Sequence, residues 1–197
     1  MGNETSKATR RRGKEAIFLN IIAGKTIDIG CGTDPLNKKD FPNITELITF
    51  DKVEGDANYL DKYFENEIFD CLHHSNVLEH LYDPYDVIVR WFKLIKKGGY
   101  MIGLIPDYVL YEHKHWPSLY NDDHKHSFSI DEEWPENQNY HIKVIDLIKH
   151  LKEKFPNEIE VLKLELIDTF YDYDLKDVDQ TRDKAEAFIE FILQRKK

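Results

Sequence analysis

The stretch Lys-Thr-Ile-Asp-Ile-Gly-Cys-Gly-Thr-Asp-Pro at 25–35 constrains the fold more than any other part of the chain. Residues 26–29 read as a short buried strand, with Ile27 and Ile29 supplying the apolar bulk. Gly30, Cys31 and Gly32 then form a glycine-rich turn. Two close glycines let the backbone pass a bulky ligand where a Cβ would clash. A strand followed by such a turn is where an open α/β sheet binds a nucleotide, at the carboxyl ends of its strands.

Asp51 ends the next predicted strand, 45–50, about twenty residues beyond the turn. An acid in that place accepts both hydroxyls of a ribose, which points to an adenosine-type ligand. A dinucleotide fingerprint would carry a third glycine where Pro35 stands. That glycine permits close packing of a helix whose start receives the pyrophosphate, and Asp34 would repel such an anion. NAD is therefore disfavoured, and with it a nicotinamide-dependent oxidoreductase.

The rest of the chain alternates. Residues 13–22 carry Ile17, Phe18, Ile21 and Ile22 at helical spacing, and a short helical segment is expected from Asp34. Residues 67–72 read as a strand, 77–81 and 84–95 as helix, and 100–105 as a strand. Val87, Ile88, Trp91, Phe92 and Ile95 share one helical face. The Lys-Lys-Gly-Gly run at 96–99 reads as that helix's stop. An amphipathic helix is expected at 144–155, stopped by Pro156, then a strand at 159–170. Residues 185–193 fit helix or strand by periodicity, and strand is favoured as a partner for the one before. Alternation of this kind implies a parallel sheet. With 197 residues, one domain at 13–197 is expected, preceded by a flexible polar arm at 1–12.

Net charge −10 disfavours a sequence-independent grip on nucleic acid, although Arg10, Arg11, Arg12 and Lys14 form a local basic run. Cys31 and Cys71 form neither a disulfide framework nor a zinc pattern, and the first residues lack the apolar core of a signal peptide. A reduced, cytoplasmic location away from any membrane is the expectation.

The ordered motifs bring a family into view. Ile-Asp-Ile-Gly-Cys-Gly-Thr at 27–33 resembles the first motif of class I S-adenosylmethionine-dependent methyltransferases. The resemblance continues through Asp51, Gly-Asp-Ala at 55–57, Phe-Asp-Cys-Leu at 69–72, Ser-Asn-Val-Leu-Glu-His at 75–80 and Leu-Ile-Lys-Lys-Gly-Gly at 94–99. It implies a Rossmann-like three-layer α/β sandwich: a seven-stranded, mostly parallel sheet with an antiparallel last strand. S-adenosyl-L-methionine is the implied cofactor. Asp28 and the backbone of Gly30, Cys31 and Gly32 would face its methionine part. Asp51, with Lys52 beside it, would hold the ribose, and Asp56 with Ala57 the adenine edge. His74 and Ser75 would border the methionine and the methyl group.

Residues 108–140 break the alternation, after the fifth strand of that scheme. A long irregular insert in a compact domain is usually a lid or binding loop. His113, His115, His124, His126 and His141 fall in or just beyond it, among Tyr108, Tyr111, Trp116, Tyr120, Phe128 and Trp134. His126 or His124 is the expected general base, with His80 as a further catalytic candidate. Methyltransferases acting on amide or nucleobase nitrogen carry Asn/Asp-Pro-Pro-aromatic after the fourth strand; here that place reads His-His-Ser-Asn at 73–76. An oxygen of a small polar acceptor, such as a sugar or glycan precursor, is therefore favoured. Asn76, Glu79 and His80 would share a helical face, and ubiquinone-biosynthesis O-methyltransferases bind a divalent cation through a similar Glu-x-x-Glu-His stretch. Asn76 replaces the first Glu, so no metal is expected and these three stand only as weak candidates. The alternative to an enzyme is a non-catalytic adenosine-binding scaffold of the same fold.

Overall fold

The computed structural model describes residues 4–132, 139–175 and 178–197. Trp134, one of the aromatics of the insert, lies outside them.

The chain opens with helix α1 (Glu4–Arg12) and helix α2 (Ala16–Ile21), then strands β1 (Gly24–Ile29) and β2 (Ile44–Phe50). Strand β3 (Phe69–Ser75), helix α3 (Pro84–Lys93) and strand β4 (Ile95–Pro106) follow. Beyond them lie strands β5 (Ser127–Ser129) and β6 (His141–Lys143), helix α4 (Val144–Lys154), and strands β7 (Ile159–Ile167) and β8 (Phe188–Arg195).

Six strands form the main sheet in the order β2-β1-β3-β4-β8-β7. The first four run parallel, and β8 is antiparallel to both of its neighbours. The antiparallel last strand thus stands as expected. The seventh strand does not: beyond Asp51 the chain forms 3-10 turns at Ala57–Lys62, which leaves β2 at the edge. The polar sequence there lacks the β-branched, alternating pattern a strand needs.

Strand alternation builds the three layers. Leu72, Met101 and Leu193 face one way, onto α3 and α4 through Trp91, Phe92, Leu147 and Leu151. Cys71, Ile102 and Ile192 face the other, onto Phe18, Ile21 and Ile22 of α2. Helix α3 begins where Asp83 accepts the N–H groups of Tyr85 and Asp86, with Pro84 in its first turn and Arg90 and Lys93 in its last. It ends at Lys93 rather than at the glycines, and the Lys-Lys-Gly-Gly run lies inside β4.

Where a flexible arm was expected at 1–12, residues 4–12 form helix α1, which docks on the rest of the domain. Ala8 packs on Leu104 and Phe188, and the Lys7 ammonium reaches the carbonyls of Thr181, Asp183 and Ala185. Arg11 pairs with Glu186 and Glu190, and Arg12 is fully buried on Glu190. The basic run that reads as a solvated tail is therefore half committed to internal ion pairs, because Glu186, just before β8, and Glu190, within it, stand at the matching place. Likewise no helix forms at Asp34; residues 33–43 are turns and extended chain.

Candidate functional site

A cavity of about 810 Å³ opens at the carboxyl ends of β1, β2 and β3. Gly30 and Asp51 line its floor. Gly30 has φ +66°, and a Cβ there would stand 2.3 Å from Val77 Cγ2. The turn thus needs glycine for both conformation and space. Gly32, at φ +54°, donates its N–H to Asp51 Oδ2 at 2.8 Å. Lys52 N–H holds Asp51 Oδ1. A carboxylate has about four acceptor positions, so two remain for a ligand.

Further along the wall come Lys52, Asp56, Ala57 and Asn58. Asp56 caps the 3-10 turn by accepting from Asn58 N–H, and the Ala57 carbonyl accepts from Trp91 Nε1. The opposite wall is Asn76, Val77, His80, Leu81 and Tyr82, completed by Asn121, Asp123 and Lys125 from the insert. The expected cofactor residues Gly30, Asp51, Lys52, Asp56 and Ala57 therefore meet in one cavity.

The others stand outside its lining. Cys31 is buried, and burial together with Asp28 and Asp51 pushes its thiol up to about 11, so it stays protonated. Asp28 is buried with both oxygens engaged: Oδ2 accepts from Leu36 N–H and Oδ1 from His73 Nδ1, at 2.6 Å. Asp28 and His73 face each other in the β1–β3 register, which makes that contact. His73 Nε2 accepts in turn from Arg12, which also donates to Ser75 and to Glu190 Oε2. This buried chain, Asp28–His73–Arg12–Glu190, is invisible in local sequence, since its members come from four elements. Arg12 Nη2 is buried and has no partner among the described residues.

His74 is misplaced by the sequence reading. Strand β3 runs on to Ser75 instead of ending near 72, so alternation turns His74 inward. Its ring lies against Trp91 and Phe191, in the space left by Gly103, and burial holds the imidazole well below its ordinary value. It is a neutral core residue and does not border the cavity.

The three histidines expected to act in catalysis separate. His80 lines the cavity. It sits in a 3-10 turn, Leu78–His80, rather than an α-helix, and Asn76 has φ +55°, so the shared helical face of Asn76, Glu79 and His80 does not form. Burial and neighbouring His124 lower its basicity. His124 stands behind it, rings 4.9 Å apart, with Nδ1 2.7 Å from Glu112 Oε1. His126 is not in the lining; its Nε2 donates to the Tyr82 carbonyl. The insert is stitched down here by the N–H groups of Lys125 and His126, both on the Glu79 carbonyl. Glu112 and Asp123 were not singled out in the sequence, because nothing local marks one acid among many.

A sheet-edge cavity with a glycine turn, an acid at the next strand end and a polar far wall is the arrangement of a methyltransferase domain. The chain belongs to that family: the model of the methyltransferase domain matches residues 5–156. Solved structures share the fold. A SAM-dependent methyltransferase from Archaeoglobus fulgidus superposes with a TM-score of 0.59 at 16% identity, over 98% of this chain and 95% of that one. One from Mesorhizobium loti gives 0.56 at 14%, over 98% and 99%. A putative methyltransferase of Haloferax volcanii, solved with the Trm112 methyltransferase activator, gives 0.57 at 10%, over 100% and 95%. No curated protein matches the chain. S-adenosylmethionine is the expected cofactor, and the residues fit it: a turn without Cβ bulk and a half-satisfied carboxylate facing one cavity. No described helix is long and apolar enough to cross a membrane.

Proposed function

We propose that the protein transfers the methyl group of S-adenosylmethionine to a small polar acceptor, at oxygen. The observation that carries this is the cavity itself, which joins the glycine turn and Asp51 at one end to the His80 corner and the insert at the other. Asp51 would hold the ribose hydroxyls with its two remaining acceptor positions, and Asp56 and Ala57 would flank the adenine. Asp28 would act at one remove, by fixing the Leu36 and His73 ends of the turn.

When bound, S-adenosylmethionine would supply an electrophilic methyl on a sulfonium and leave as S-adenosylhomocysteine, with the acceptor's hydroxyl proton passing to solvent. The protein's own task is alignment of acceptor, methyl and sulfur. Asn76, Asp123 and Lys125 line the cavity near His80, where a hydroxyl-bearing acceptor would be oriented. Residues 33–43 form no helix that would meet a pyrophosphate, which weighs against a dinucleotide.

The test is transfer from methyl-labelled S-adenosylmethionine to a panel of polyhydroxylated and amine acceptors. Label in an ether or ester product supports the reading. Label confined to amine products would overturn the oxygen assignment.

A further inference from the structure

Behind the far wall of the cavity, Glu79, His80 and His124 each offer one ligand atom within 4.8 Å of one another. Two come from the turn after β3 and the third from the insert, 44 residues on. The hydrogen bonds around them set both imidazoles alike. His124 Nδ1 donates to Glu112 Oε1, which leaves the Nε2 lone pair available. His80 Nδ1 lies 3.2 Å from both the Asp123 carbonyl and the Asp123 carboxylate, which leaves its Nε2 on the side of Glu79, 3.9 Å from Oε1. A ring nitrogen held by a carboxylate or carbonyl is how metal-ligating histidines are oriented and made more basic. The carboxylate that does this for His124 belongs to Glu112, which is 1% exposed and whose Oε2 is buried without a partner among the described residues. Glu79 is 0% exposed.

We propose that Glu79, His80 and His124 form a binding site for one divalent transition-metal ion, with Glu112 and Asp123 as its orienting carboxylates. Two imidazoles and one carboxylate suit Zn²⁺, Co²⁺ or Mn²⁺ and select against Mg²⁺ and Ca²⁺, which prefer oxygen alone. Three protein ligands leave a fourth position, and His80 is the ligand that also lines the cavity. An oxygen of the acceptor, ideally one of a pair as in a diol or hydroxy acid, would take that position. This use of the ion rests on the methyl-transfer reading; the binding of the ion does not. The site also gives the insert a reason to be where it is, since the ion would tie His124 to the turn after β3.

The test is titration of the metal-free full-length protein with Zn²⁺ by calorimetry and with Co²⁺ by visible absorption. One equivalent should bind, with Co²⁺ absorbing as a low-coordinate nitrogen–oxygen site, and excess Mg²⁺ should not displace it. His124→Ala and Glu79→Gln should each weaken binding at least tenfold, and Glu112→Gln by about 10–100-fold. His150→Ala removes a histidine of α4 outside the cluster and should change nothing. Glu112→Gln keeps shape and volume, so it decides the matter even if His124→Ala fails to fold. Absence of stoichiometric binding, or equal affinity in Glu112→Gln and wild type, overturns the site. Affinity for S-adenosylhomocysteine, measured on the same metal-free samples, reports the methyltransferase reading separately.

Discussion

Asp51 uses two of its acceptor positions to hold Gly32 and Lys52 and so shapes the turn it faces across the cavity. The same carboxylate is proposed to take the ribose. Asp51→Ala should therefore weaken S-adenosylhomocysteine binding by about 1.5–3 kcal/mol, the value of hydrogen bonds to a charged acceptor. That is a rise in Kd of about 10–150-fold by calorimetry, and an unchanged Kd would place the ribose elsewhere. Asp51 was legible because its cue is local: a strand end at a set distance from a glycine turn. His74 was not, since its fate depends on how far β3 runs and on which face position 74 then takes. β3 runs three residues past its expected end, so position 74, expected just beyond the strand, is paired within a sheet covered on both faces and is buried.

At the scale of elements, α1 and β8 are joined by charge. Burial alone would raise the Glu190 carboxyl, but Arg12, Arg11 and Lys163 overcome it and hold the group down at about 2. A carboxyl depressed in the folded state stabilises the fold above its unfolded value, near 4.5, and that contribution is lost as pH falls towards 2. The melting temperature should thus drop between pH 4.5 and 2.5. Glu190→Gln should lower stability at pH 7 by about 3–5 kcal/mol, because it strands buried Arg12. It should also flatten the acid limb of the melting profile; an acid limb as steep as the wild type's would remove Glu190 from this role. None of this is legible in the sequence. An Arg-Arg-Arg run looks like a tail until Glu186 and Glu190, some 175 residues away, are brought beside it. The alternation of strands with helices, by contrast, was readable, and α3 by its apolar face, though its end was placed too late.

At the scale of the molecule, the ordered motifs across 25–107 carried the family resemblance, and with it the mostly parallel sheet and its antiparallel last strand, though six strands form the main sheet where seven were expected. The acceptor end was less legible. It is assembled from the turn after β3 and a long insert whose residues have no period, so which of its histidines reaches the cavity depends on tertiary placement. His80 reaches it, His124 stands behind and His126 turns away. The account rests on the cavity at the ends of β1 and β2 being a site for S-adenosylmethionine. The direct measurement is calorimetric titration of the protein with S-adenosylhomocysteine and, separately, with NAD. The account predicts one equivalent of S-adenosylhomocysteine bound at micromolar affinity, about −8 kcal/mol, and no binding of NAD. Binding of NAD in preference, or of neither, would contradict it.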